Sequence, residues 1–286
     1  MKKILITGKN SYVGKSLVKW LGKYPDRYSI DSISVRNDDW KEKDFSEYDT
    51  VLHAAGIAHI KETKENADMY YKVNRDLAYD VAYKAKLEGV KQFIFLSSMS
   101  VYGIEYGVID KSSLLNPKSN YGKSKLQAEE LIKPLESDKY KVAIIRPPMI
   151  YGKECKGNYS RLSNLAVKVP FFPSIENKRS MIFIDNLSEF VRLLIDDHGS
   201  GVFFPQNAEY VNSSEMVFLI SRLHEKKMLM TKLVNPIINL IGRRIGLINK
   251  VFGSLVYEKS MSEYKTNYMV IGFEESIKRT EEVDWE

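Results

Sequence analysis

The residues with the most evident chemical potential are Tyr121 and Lys125, in the run Asn116-Pro117-Lys118-Ser119-Asn120-Tyr121-Gly122-Lys123-Ser124-Lys125. Leu126, Gln127, Ala128 and Glu129 follow and read as helix. On a helix, an i, i+4 spacing puts both side chains on one face, so an ammonium can sit beside the phenol. A free phenol has a pKa of about 10, and a nearby cation favours the phenolate, which would make Tyr121 an acid/base near neutral pH. A surface helix with a half-buried Tyr and a solvated Lys has the same spacing, so the meaning of the pair depends on its surroundings.

The elements before it form a consistent frame. Lys3 to Thr7 reads as a short apolar strand, Gly8-Lys9-Asn10-Ser11-Tyr12-Val13-Gly14 as a turn, and Lys15 to Leu21 as a helix. A strand, a tight glycine turn and a helix N-terminus make an anion site, because free backbone N–H groups point at the ligand. Asn10, Ser11, Tyr12 and Val13 are the expected contacts within it. Gly8 allows the turn and Gly14 allows close packing of helix on strand, whereas Ser11 stands where a middle glycine would let a ligand approach most easily.

A second strand, Ile30 to Val35, closes on Arg36-Asn37-Asp38. An acid at that strand end suits a ribose 2′-hydroxyl and an arginine suits a 2′-phosphate. Placing Arg36 there favours NADP(H), with NAD(H) the alternative through Asp31 or Asp38. Asp49 to Gly56 reads as a buried strand ending in Ala54, Ala55 and Gly56, small enough for an extended cofactor to lie against the backbone. His53 in that strand reads as a core residue. Ala67 to Glu88 is a long helix carrying Asn74 and closing at Gly89. Gln92 to Leu96 is a near-continuous apolar strand that delivers Ser97 and Ser98 at its carboxyl end, where ligands of open α/β sheets bind. The helix from Tyr121 to Ser137 follows, then a strand, Val142 to Arg146, leading into Pro147, Pro148, Tyr151 and Gly152. Strands alternating with helices imply an α/β, Rossmann-like, doubly wound parallel sheet.

Composition agrees with a globular chain. The 286 residues are 44% hydrophobic and 28% charged, enough for a large core. One cysteine, Cys155, precludes an internal disulfide and fits a reducing compartment. No apolar run reaches the ~18 residues of a membrane span. Met1-Lys2-Lys3 runs directly into a strand rather than a signal peptide, so a cytoplasmic location is expected. The net charge of +6 is dispersed among acids, which favours a small anionic ligand over nucleic acid or stable membrane insertion. No metal is expected.

Together these segments resemble extended short-chain dehydrogenases/reductases of the nucleotide-sugar epimerase, dehydratase and reductase group. The resemblance rests on Thr7-Gly8-x-x-Ser11-x-x-Gly14, His53-Ala54-Ala55, Asn74, Ser97-Ser98-x-x-Val101-Tyr102-Gly103, Tyr121-x-x-x-Lys125, Arg146-Pro147 through Tyr151-Gly152, and Arg179 through Asp185-Asn186-Leu187, in the family's order. It implies that Tyr121 is the acid/base at a sugar hydroxyl or ketone. Lys125 would hold the nicotinamide ribose and lower the pKa of Tyr121, Ser98 would bind the reacting oxygen, and Asn74 would serve a proton relay or a structural role. Pro148 would lie against the cofactor, while Asn158 and Arg179 would contact the sugar and the nucleotide diphosphate. The dehydratases of the group carry an Asp-Glu pair where this chain has Met99 and Ser100, so a 4,6-dehydratase is not expected.

The resemblance further implies two interleaved lobes. Residues 1–150 would bind dinucleotide, with 180–207 returning to that lobe; 151–179 and 208–286 would form a smaller, mostly helical lobe for the nucleotide sugar. Leu233 to Leu255 is a basic amphipathic stretch with Arg243, Arg244 and Lys250; such a stretch either packs or lies on a membrane surface. The expected reaction is reduction of a UDP-4-keto-6-deoxy-N-acetylhexosamine for surface polysaccharide synthesis, with UDP-glucose or UDP-N-acetylglucosamine 4-epimerisation as the alternative. A non-catalytic dinucleotide-sensing or RNA-binding relative is the remote reading, and the Tyr121/Lys125 pair argues against it. Relatives often pair as homodimers through the two long helices, and a homodimer is an assembly the resemblance allows.

Overall fold

The computed structural model describes residues 1–58, 60–236 and 251–282. In chain order the strands are β1 (Lys2–Thr7), β2 (Tyr28–Ile33), β3 (Thr50–His53), β4 (Gln92–Leu96), β5 (Gly107–Ile109) and β6 (Lys141–Ile145). The short strands β7 (Met149–Tyr151), β8 (Phe171–Pro173), β9 (Met181–Phe183), β10 (Gly201–Phe203), β11 (Leu229–Thr231) and β12 (Leu255–Tyr257) follow. The helices are α1 (Tyr12–Leu21), α2 (Ala67–Tyr71), α3 (Leu77–Leu87), α4 (Asn120–Ile132), α5 (Asn158–Lys168), α6 (Ile184–Asp196), α7 (Ser213–Leu223) and α8 (Phe273–Glu281).

Six strands form one sheet in the order β10-β6-β4-β3-β1-β2, with every neighbouring pair parallel. Strand residues alternate between its two faces. Ile4 and Ile6 of β1 pack with Leu17 of α1 and Leu187 and Leu194 of α6. Leu5 packs with Ala78, Val81 and Ala85 of α3 and Ala128 and Ile132 of α4. Both faces are therefore covered, which explains why these strands read as apolar runs. β10 pairs with β6 at one edge of this sheet, whereas β9 pairs with β7 outside it.

Three two-stranded ladders, β7 with β9, β8 with β11 and β5 with β12, build the remainder with α5, α7 and α8. The described residues beyond Ser213 are mainly helical, through α7 and α8, with β11 and β12 as three-residue strands that pair with β8 and β5. Arg243, Arg244 and Lys250 lie outside the described residues.

Some boundaries differ from the sequence expectation for identifiable reasons. α1 starts at Tyr12 rather than Lys15, because Ser11 is its N-cap and accepts from the Gly14 amide at 3.0 Å. β2 ends at Ile33, so Arg36 sits in the loop beyond it. α4 stops at Ile132, with a tighter turn at Lys133–Leu135 around Pro134. The helix expected over Ala67 to Glu88 is interrupted by a π-turn at Lys72–Asp76, centred on Asn74.

Candidate active site

Several segments meet at the N-terminal half of α4. Ser119 caps it by accepting from the Gly122 amide at 3.1 Å. Glu62, from the segment after β3, accepts the amides of Asn120 at 2.9 Å and Tyr121 at 3.0 Å. A carboxylate at this helix end satisfies exposed N–H groups and complements the helix dipole. It also fixes the backbone of Tyr121 itself. Nothing local in the sequence marks Glu62, since it reaches α4 from far upstream.

One turn on, Lys125 is buried, donates to the Leu96 carbonyl at 2.8 Å and lies 4.7 Å from the centre of the Phe95 ring. Burial lowers its pKa to about 8, with Glu129 acting in the opposite direction. Burial raises the pKa of Tyr121, and the Ser98 hydroxyl is the neighbour that lowers it. The expected lowering of the Tyr121 pKa by Lys125 is thus not seen: the ammonium is directed to the end of β4, and Ser98 takes that part.

Ser98 follows β4 and caps the 3₁₀ turn Met99–Tyr102, accepting from the Ser100 amide at 3.1 Å. Its Oγ and Tyr121 therefore converge outside the carboxyl end of the sheet, as expected for a ligand site. Met99 and Ser100 occupy the same turn and supply no acid/base pair.

Asn74 is fully buried at the π-turn, a distortion often found at functional sites. Its Oδ1 accepts the Ile57 amide at 2.8 Å, and its Nδ2 donates to the Ile57 carbonyl at 3.0 Å and to Ser124 Oγ at 3.2 Å. It therefore ties the Ala54-Ala55-Gly56 wall to α4. A Cβ on Gly56 would stand 3.0 Å from Asn74 Oδ1 and 3.3 Å from Lys125 Nζ, so the wall runs directly over the lysine.

The turn after β1 meets the same wall. Gly8 has φ +100°, and a Cβ there would lie 2.7 Å from the Ala55 amide nitrogen, which excludes any other residue. Tyr12 and Val13 open α1, where first-turn amides have no helical acceptor, and Asn10 is exposed in the turn. The Tyr12 hydroxyl is buried without a partner, facing Gly152. Pro148 is buried just before β7. Arg36 lines a depression of about 640 Å³ with Lys9, Lys43, Asn37 and Asp39 at the end of β2. Asp31 faces away from that role, accepting a hydrogen bond from Tyr48 at 2.6 Å within the strand. His53 is a core residue: its Nδ1 hydrogen-bonds Thr7 Oγ1 at 2.8 Å, and burial lowers its pKa to about 3.

Behind α4, Glu129 and Arg146 form a buried ion pair at 2.5 Å. Ser97 also donates to Glu129, and Arg146 donates to the Tyr102 hydroxyl at 3.1 Å. Asn158 opens α5 after Gly157, and nothing described links it to Tyr121. Arg179 bridges to Val211 and Leu255 and donates to the Gly253 carbonyl at 2.9 Å. Its Nε is buried without a partner, no carboxylate pairs with it among the described residues, and burial lowers its pKa. Among the described residues there is also no cluster of three or more His, Cys, Asp or Glu side chains suited to a metal ion.

The sequence profile of the NAD dependent epimerase/dehydratase family matches residues 4–203. The chain belongs to that family. It is 32% identical to UDP-glucose 4-epimerase of Vibrio cholerae over 246 residues, 76% of this chain and 74% of that protein. It is 28% identical over 274 residues to N-acetyl-alpha-D-glucosaminyl-diphospho-ditrans,octacis-undecaprenol 4-epimerase of Escherichia coli O157:H7, covering 87% of this chain and 81% of the relative. Its fold matches the structure of UDP-glucuronic acid 4-epimerase from Bacillus cereus, in complex with NAD, with a TM-score of 0.76 at 17% identity over 98% of this chain and 97% of that one.

Proposed function

We propose that this chain is a nicotinamide-dependent oxidoreductase acting at C4 of a diphosphate-linked sugar, with UDP as the carrier. The observation that carries this reading is the convergence of Ser98, Tyr121 and Lys125 beneath the Gly8 turn and the Ala54-Ala55-Gly56 wall. The residues fit a dinucleotide: the Gly8 cradle leaves no room for a Cβ, the first amides of α1 suit a pyrophosphate, and Lys125 lies under the wall. When bound, the cofactor supplies or accepts the hydride.

The chain's own residues handle the proton. Ser98 orients the C4 oxygen by hydrogen bonding. Tyr121 takes the hydroxyl proton when C4 is oxidised and returns one when the ketone is reduced, and its raised pKa keeps it protonated as the acid for reduction. Asn74 and Ser124 hold the wall and α4 in register. Arg179, a buried guanidinium without a carboxylate among the described residues, suits the diphosphate oxygens, and Asn158 at the start of α5 suits the sugar.

Two directions use this machinery. The names of the two relatives support epimerisation, in which a 4-keto sugar turns over within the site and is reduced on its other face. The Lys9, Arg36 and Lys43 depression supports NADP(H) and hence net reduction of a UDP-4-keto-6-deoxy-N-acetylhexosamine. The test is to supply UDP-N-acetylglucosamine or UDP-glucose with NAD, and the 4-keto sugar with NADPH or NADH, following sugar products by NMR and nicotinamide absorbance. C4 epimers without net absorbance change identify the epimerase; stoichiometric oxidation of NADPH identifies the reductase. Failure of all these sugars to react would sink the assignment to UDP-sugars.

A further inference from the structure

One edge of the second lobe carries a patch that the proposed chemistry does not use. β8 and β11 pair with Phe171 opposite Leu229, and these side chains are 56% and 68% exposed. The next pair in the ladder, Phe172 and Met230, turns inward, and Phe172 packs on Phe252. Leu233, just beyond β11, is 88% exposed. Strand alternation normally leaves polar residues on the open face of such a ladder; here it presents a phenylalanine and a leucine side by side.

The surroundings are cationic. Lys168 ends α5 just ahead of β8, Lys226 and Lys227 precede β11, and Lys232 follows it. None of them belongs to an ion pair formed among the described residues. The strands are parallel and in register, so Lys168, Lys226 and Lys227 enter from one end and Lys232 leaves at the other. The apolar residues are therefore flanked by lysines at both ends, with Glu225 and the exposed Glu176 as the neighbouring acids.

We infer that this edge rests on a bilayer surface with acidic headgroups, Phe171, Leu229 and Leu233 entering the headgroup layer while the lysines meet lipid phosphates. Protruding apolar side chains with long, unpaired lysines around them suit a soft and laterally uniform anionic surface. A second copy joined through the same patch would bring these lysines face to face, which opposes that occupant. No helix of the described residues is long and apolar enough to cross a membrane, and the contact is peripheral. The chain runs on from β8 to Arg179, so the lipid contact and the diphosphate-ready guanidinium share one segment. The inference goes beyond the proposed reaction and does not depend on which sugar is turned over.

The test is co-sedimentation of the full chain with vesicles of equal parts phosphatidylglycerol and phosphatidylcholine, against pure phosphatidylcholine, at low and high salt. Binding is expected only to the acidic vesicles and is expected to weaken with salt. Lys226→Glu/Lys227→Glu should reduce it by more than about twentyfold, since one lysine near such a surface is worth roughly fivefold. Phe171→Ser/Leu229→Ser should reduce it at least about tenfold. The thermal midpoint should be unchanged in the lysine variant, whose side chains are on the surface. No binding to acidic vesicles, or equal binding by the lysine variant, would overturn the inference. So would a shift from dimer to monomer in the apolar variant, which would make the occupant a second copy. Vesicle binding requires no turnover, so its failure is distinguishable from failure of the proposed reaction.

Discussion

Replacing Glu129 by Gln should destabilise the fold strongly and alter the titration of Lys125 together. The side chains of Glu129 and Arg146 are only 5% and 9% exposed, and their closest contact is 2.5 Å. The Glu129→Gln amide would keep an acceptor for Ser97 but would leave the Arg146 guanidinium buried without its counter-charge. Removing one partner of such a pair costs about 3–5 kcal/mol. For a chain of this size that is a fall in Tm of roughly 6–10 °C. The Tyr102 hydroxyl, which Arg146 also reaches, cannot replace a charge. Replacing both partners by Met should recover most of the loss, because a buried pair exchanged for apolar residues is often close to neutral. Glu129 is also the group that raises the pKa of Lys125, so its loss should move that pKa further down. Calorimetric melting of the wild type, the single variant and the double variant, with nitrogen-15 titration of Lys125, reads both effects. A single variant melting within about 1 °C of the wild type, or a double variant less stable than the single, would refute the reasoning.

Tyr121→Phe should cut turnover by about 10²–10⁴-fold, the usual worth of a positioned acid/base, with cofactor affinity by titration unchanged. Asn74→Ala should strand the Ile57 amide and carbonyl at a cost of about 1–3 kcal/mol, and amide hydrogen exchange at Ile57 should accelerate at least about tenfold; an unchanged rate would remove the tether. Arg36→Ala should weaken NADP(H) by about tenfold or more while sparing NAD(H), measured by calorimetry; an equal loss for both would detach Arg36 from the 2′-phosphate. His53 is expected to make stability fall in acid. Its pKa is about 3 in the fold against 6.5 in the open chain, so below 6.5 the unfolded state takes up the proton first. That contribution is complete above pH 6.5 and falls by roughly 2 kcal/mol by about pH 5. Urea unfolding of His53→Gln should lack this increment, and an identical pH slope would contradict it.

Much of the frame was legible because local pattern and tertiary role coincide. β1, β3, β4 and β6 are covered on both faces, so each is a largely apolar run between turn residues. That Ser98 and the Tyr121/Lys125 pair would meet was legible because they stand at a strand end and on one helix face. What escaped depends on contacts between distant segments. Glu62 caps α4 from the loop after β3, and no spacing announces it. The π-turn at Asn74 adds a residue to a helical turn while the propensities on either side remain ordinary. Lys9, from the turn after β1, joins Arg36 only once β1 and β2 lie side by side, and Lys43 joins it through the turn at Asp38–Lys41. The direction of the Lys125 ammonium likewise rests on where the Leu96 carbonyl falls.

These hidden contacts share an arrangement on α4. Its first amides are held by Glu62, its middle by Asn74 through Ser124, and its far end by Arg146 through Glu129. Each partner comes from a different segment: Glu62 from the loop after β3, Asn74 from the π-turn and Arg146 from the end of β6. Each segment also adjoins a wall of the site, namely Gly56, Ile57 or Pro148. A shift of α4 along its axis would strain all three at once, since buried polar groups lose far more when unpaired than they gain when paired. The helix therefore has one well-defined position relative to β4, and that position brings Tyr121 to Ser98. It follows that substitutions at Glu62, Asn74 or Glu129, none of which need touch substrate, should lower turnover by displacing Tyr121 from Ser98. A loss of activity accompanied by an unchanged Tyr121 pKa would show that this lever does not operate.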